Sequence, residues 1–128
     1  MNFEWSTNEV TSLIVSIYET NLTLNRAACQ HFEDVNHVLL GIDREAHCIG
    51  IKPVSHEGIA QEIYPASQLY KIFIGKSYGR ITSKPFVEKL KTLLSLDFHQ
   101  TTCFKYLASY DVIHGILIID YEKGEYKL

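Results

Sequence analysis

"HVLLGIDREAHCIGIKPV", residues 37–54, decides how the rest of the chain is read. Val38, Leu40 and Ile42 alternate with Leu39, Gly41 and Asp43, the two-residue period of a strand. Ile49 and Ile51 alternate with Gly50 and Lys52 in a second strand. Between them, Asp43-Arg44-Glu45-Ala46-His47 is polar. Aspartate suits the first position of a type I turn, because its carboxylate accepts a nearby backbone N–H. Pro53 has no N–H to give and ends the ladder. The stretch therefore predicts a hairpin over 37–52. Its two histidines and its cysteine raise the competing reading, a ligand-binding loop.

A second stretch, "FKYLASYDVIHGILIIDYE" (104–122), has the same pattern. Phe104, Tyr106, Ala108 and Tyr110 alternate with Lys105, Leu107 and Ser109, and a turn is predicted over Asp111–Gly115. The run Ile116-Leu117-Ile118-Ile119 reads as a strand buried on both faces. Ile42-Asp43 aligns with Tyr110-Asp111, and Ile49-Gly50-Ile51 with Leu117-Ile118-Ile119, at a constant offset of 68. "LTLNRAACQHF" (22–32) and "RITSKPFVEKL" (80–90) each read as a short strand entering a helix. Asn25 and Ser83 are suited to capping those helices, although Pro85 opens the alternative of a cap at Lys84. Strand pairs are expected ahead of each helix, from 12–20 into 22–24 and from 69–75 into 79–82. The expected fold is α+β. It is a small β-barrel of two ββαββ pseudo-repeats with two short helices, in one domain over 1–128. The repeats run over about 11–54 and 69–121, with 55–68 as connector.

Composition narrows the function classes. The 128 residues are 46% hydrophobic and 21% charged, which suits a globular chain with a real core. No apolar run reaches the roughly 18–20 residues of a membrane span. "MNFEWSTNEV" carries Glu4 and Glu9, no basic residue and no apolar core, so no secretory signal is expected. Cys29, Cys48 and Cys103 are far apart and odd in number, as expected of reduced thiols in a cytoplasmic protein.

The region "TLNRAACQHF…VNHVLLGIDREAHCIGIKPV" resembles a family of small bacterial and phage-borne proteins of uncharacterised function. The shared pattern is an Asn, a basic residue and two small residues opening a helix, followed by a hairpin. The likeness extends loosely through "GRITSKPFVEKL" and "GILIID", and it implies no catalytic residues. The strand–helix–hairpin unit is also similar to AbrB and MraZ transcription regulators. That likeness implies a swapped-hairpin barrel and DNA binding through basic residues. Asn25-Arg26 and Ser83-Lys84 supply one basic residue at each helix start, fewer than those regulators present.

Several motifs fail on their chemistry. "IGKS" (74–77) ends like a phosphate-binding loop, but Tyr70 stands where that loop needs glycine, and a strand turn replaces the required helix. The histidines His31, His37, His47, His56, His99 and His114 lack the short paired spacing of structural zinc sites, so no metal and no cofactor is expected. No Gly-x-Ser-x-Gly elbow occurs, and the reading leans away from an enzyme.

The net charge is −3, yet residues 71–91 hold Lys71, Lys76, Arg80, Lys84, Lys89 and Lys91 against Glu88 alone. That segment is +5 and the remainder is −8. The expected function is a non-enzymatic binding or regulatory module that contacts nucleic acid or an acidic protein. Its contact residues are Lys71, Lys76, Tyr78, Arg80 and Lys84. The alternative is a protein-interaction or homodimerising module, with tyrosines at the interface.

Overall fold

The computed structural model describes residues 1–6 and 12–126. The expected start of the first unit at residue 11, and the acidic Glu9, lie outside them. The eight strands are β1 (Leu13–Tyr18), β2 (Asn21–Asn25), β3 (His37–Asp43), β4 (Cys48–Val54), β5 (Tyr70–Ile74), β6 (Tyr78–Thr82), β7 (Cys103–Asp111) and β8 (Ile116–Asp120). They close into one barrel in the order β1-β2-β6-β5-β3-β4-β8-β7, with every seam antiparallel. The fold is a small closed antiparallel β-barrel with a few short helices.

An eight-stranded barrel has just enough interior to be filled by side chains. Val15, Ile17, Leu22, Leu24, Val38, Ile49, Ile51, Ile81, Leu117 and Ile119 fill it and are wholly inaccessible to solvent. Across the β4·β8 seam, Ile49 faces Ile119 and Ile51 faces Leu117. The run 116–119 is buried on one face only, which corrects the sequence reading. Leu117 and Ile119 point inward, while Ile116 and Ile118 stay half-exposed on the outer wall. An apolar run does not say which of its faces is covered, and the outer face of β8 stays partly open to solvent.

The two hairpins turn alike. In the first, Asp43 Oδ1 accepts from the N–H groups of Glu45 and Ala46 at 3.1 and 3.0 Å. In the second, Asp111 Oδ1 accepts from those of Ile113 and His114 at 3.0 and 3.2 Å. Both turns then pass through a left-handed residue, His47 (φ 57°) and Gly115 (φ 65°). Asp111 Oδ2 also meets His114 Nδ1 at 2.7 Å. That bond, with the backbone N–H groups of the turn, holds the Asp111 carboxyl below the usual aspartate range.

The helices are α1 (Arg26–Cys29), which runs on into a 3-10 turn at Gln30–Phe32, α2 (His56–Ala60) and α3 (Lys84–Leu94). Within the connector 55–68, Ser55 caps α2, accepting from the Gly58 N–H at 3.0 Å, and a 3-10 turn follows at Ala66–Gln68. Ser83 caps α3 by accepting from the Phe86 N–H at 3.3 Å. The alternative cap at Lys84 is thereby corrected: Lys84 is the first helical residue, and the Ser83 bond outweighs the restriction that Pro85 places on it.

Asn25 does more than cap α1. Its Oδ1 accepts from the N–H groups of Ala28 (3.1 Å) and Ile14 (3.0 Å), and its Nδ2 donates to the Ser12 carbonyl at 2.7 Å. One side chain thus ties the start of β1 to the start of the helix. Asn25→Ala is expected to cost about 2 kcal/mol in urea unfolding, against about 1 kcal/mol for Ser83→Ala, which loses a cap alone. Equal losses would mean that the bonds to β1 contribute nothing.

Gly79 on β6 lets α1 approach. A Cβ there would lie 2.8 Å from Cys29 Sγ and 2.9 Å from Ile74 Cδ1. Seam lengths differ around the ring. Six residue pairs register β1 with β7, but only His37↔Lys71 and Val38↔Tyr70 register β3 with β5.

Candidate nucleic-acid interface

The basic segment 71–91 does not stay together in space. Its first half forms the β5–β6 hairpin and its second half forms α3. Tyr78, Arg80 and Thr82 are exposed while Gly79 and Ile81 are buried, so the first three share the outer face of β6. Lys71 and Phe73 take the outer face of β5, and Phe73 lies directly opposite Arg80. Lys76 is exposed in the β5–β6 turn, where Gly75 N–H donates to the Tyr78 carbonyl at 2.9 Å. Lys84 lies beyond the far end of β6, on the first turn of α3, and so falls off the strand face. On α3, Lys91 sits 3.7 Å from Glu88, while Lys89 lines a hollow shared with Leu39 of β3 and Lys52 of β4.

Strand pairing adds residues that the sequence reading did not single out. From Arg80 the register crosses to Thr23 on β2, Ser16 on β1 and Lys105 on β7. Phe73, Arg80, Thr23, Ser16 and Lys105 therefore form one row across five adjacent strands. Beside it runs the row of Tyr78, Asn25, Ile14 and Leu107. A groove of about 410 Å³ opens on this wall, with Ser16, Tyr18, Thr23, Asn25, Tyr78 and Arg80 among its lining.

The electrostatics of the wall are one-sided. Among the described residues, the outward positions of these strands hold Lys71, Arg80 and Lys105 against one carboxylate, Asp111 at the end of β7, and Glu125 lies beside β7, where the Tyr126 N–H donates to the Lys105 carbonyl. Among the described residues, none of these three cations stands in an ion pair. Glu19 lies in the β1–β2 turn, and Asp111 closes β7 at the rim. Burial, with Cys103 and Tyr78 nearby, raises the Tyr18 phenol above the ordinary tyrosine range, so it stays a neutral donor at physiological pH.

The other candidate residues are dispersed. Among the described residues, no three His, Cys, Asp or Glu side chains gather as ligands for a metal ion. Burial raises the thiols of Cys29 and Cys48, with nearby carboxylates adding to the effect. Neither thiol is therefore an activated nucleophile. The opening stretch is barrel wall rather than a binding loop: His47 sits at the turn, 3.2 Å from Glu122. Among the described residues, no helix is long and apolar enough to cross a membrane. One further feature escaped the sequence reading, because turns are usually polar. The β7–β8 turn presents Val112 and Ile113 at 80% and 87% exposure.

No family model, curated protein or solved structure matches this chain. The wall itself therefore carries the functional argument.

Proposed function

We propose that this chain is a nucleic-acid-binding module that receives phosphates on the outer wall of β7, β1, β2, β6 and β5. The observation that carries the reading is an excess of cations on this five-strand wall among the described residues, Lys71, Arg80 and Lys105 against Asp111, in a chain of net charge −3. Phosphate backbones are attracted by the lysines and arginine, and the phenols of Tyr18 and Tyr78 between them can donate hydrogen bonds.

In the same proposal the barrel consists of two equivalent ββαββ units. Two features support this. Exchanging β1–β4 with β5–β8 leaves the order around the ring unchanged. The two hairpins also share one register, since adding 68 to Ile42↔Ile49 gives Tyr110↔Leu117. The relation to AbrB and MraZ regulators, and residence in the cytoplasm, belong to the proposal as well.

Fluorescence anisotropy with labelled mixed-sequence DNA and RNA, from low to physiological salt, tests it. Binding is expected to weaken steeply with salt, because each phosphate contact releases counterions. Replacing Lys71, Lys76 and Arg80 together by alanine is expected to lower the log–log salt slope by about 2. Lys89→Ala, on α3, leaves it unchanged. Absence of binding at low salt sinks the proposal and favours the second reading, a protein-interaction module. The exposed Val112–Ile113 tip favours that alternative, because a rigidly held apolar turn fits a partner's pocket.

A further inference from the structure

Resting on that reading, we infer that the ligand is a single strand whose bases stack on Phe73 and Tyr78 while Arg80, Lys71 and Lys105 hold its phosphates. Double helices are read by a helix or a two-stranded ribbon pushed into the major groove. This protein offers neither among its described residues. α1 has four residues and α2 five. α3 is longer, but it packs on the core through Phe86, Val87 and Leu90, and its exposed side carries Glu88 among its lysines. The β5–β6 hairpin is built into the barrel by β2 on one side and β3 on the other.

The wall does fit an unpaired strand. Phe73 is 61% exposed and Tyr78 52% exposed, unusual for aromatic side chains on a regular strand. Phe73 faces Arg80 across the β5·β6 seam, and Tyr78 is two residues before Arg80 on the same strand. Each ring thus adjoins the same cation, one across the sheet and one along it. Bases present a face to a ring and a charged backbone beside it, and stacking tolerates any sequence. The small Ser16 and Thr23 line the groove beside Tyr78 and Arg80, and Lys105 on β7 follows Ser16 in register. Four strand spacings make this row roughly 19 Å long. A duplex is rigid and hides its base faces, so it gains the charges of this wall but not its rings.

The test compares a labelled oligothymidylate of about 12 nucleotides with a duplex of the same length, within the site sizes such platforms hold. Wild type is expected to prefer the single strand. The Phe73→Ala/Tyr78→Ala double variant is expected to lose about ten-fold or more in affinity for it, with duplex affinity unchanged. Tyr78→Phe keeps the ring and keeps the affinity, whereas Phe73→Leu keeps the apolar surface and loses affinity. Because both rings are exposed, the melting curves of all variants should overlay that of wild type. Equal affinity for duplex and single strand, unmoved by the aromatic variants, overturns the inference and leaves nucleic-acid binding standing. No binding to either probe overturns both.

Discussion

Ile51→Asp and Ile119→Asp are each expected to abolish cooperative folding at room temperature. Both side chains are wholly buried in the barrel interior, on neighbouring strands β4 and β8. Each substitution removes about 1.5–3 kcal/mol of apolar burial. It also places a carboxylate among aliphatic neighbours, where it must stay unpaired or take up a proton, at a further cost of several kcal/mol. The combined loss rivals the about 5–15 kcal/mol by which small proteins are stable. Ile118→Asp is the decisive control. It is the residue next to Ile119, but it points outward, and its change should cost about 1 kcal/mol or less. Urea unfolding followed by circular dichroism separates the two. If Ile119→Asp melts like wild type, the inward register of β8 is wrong.

The second large effect is expected at Phe32. Its ring is the largest fully buried side chain among the described residues, and it sits on the 3-10 turn that continues α1. Four helical residues cannot hold themselves in water, because nucleation alone costs more than so few bonds return. This turn persists because Phe32, Ala28 and Cys29 are anchored in the core. Phe32→Ala should therefore lower unfolding free energy by about 3–5 kcal/mol. The neighbouring His31 stacks on Tyr110 at 3.9 Å, but on the surface, and His31→Ala should cost less than about 1 kcal/mol. A loss at Phe32 no larger than that at His31 would mean that the α1 turn is not held by its ring.

Local features were legible in the chain and long-range pairing was not. Alternation around Asp43 and Asp111 predicts both hairpins, because strand period and turn chemistry are written into adjacent residues. Asn25 and Ser83 were readable as caps for the same reason. The neighbours across β2·β6 and β4·β8 were not, since alternation shows which residues point inward but not which strand lies alongside. The site divides the same way. Lys71, Tyr78 and Arg80 can be grouped from the sequence because they are close in the chain. Tyr18 reaches that wall only through the β1·β2 and β2·β6 seams, and Lys105 through β1·β7 as well. Lys84, Lys89 and Lys91 were grouped with them by proximity in the chain, yet the Ser83 cap turns them onto α3.

The two-pair seam between β3 and β5 has a dynamic consequence. A closed ring breathes where the fewest bonds must break, and local openings are governed by such differences. Parting this one seam converts the barrel into a curved open sheet while the other seven seams stay zipped. β5, which carries Lys71 and Phe73, would then be an edge strand still paired with β6. The wall proposed to hold the ligand thus ends on the shortest seam of the ring.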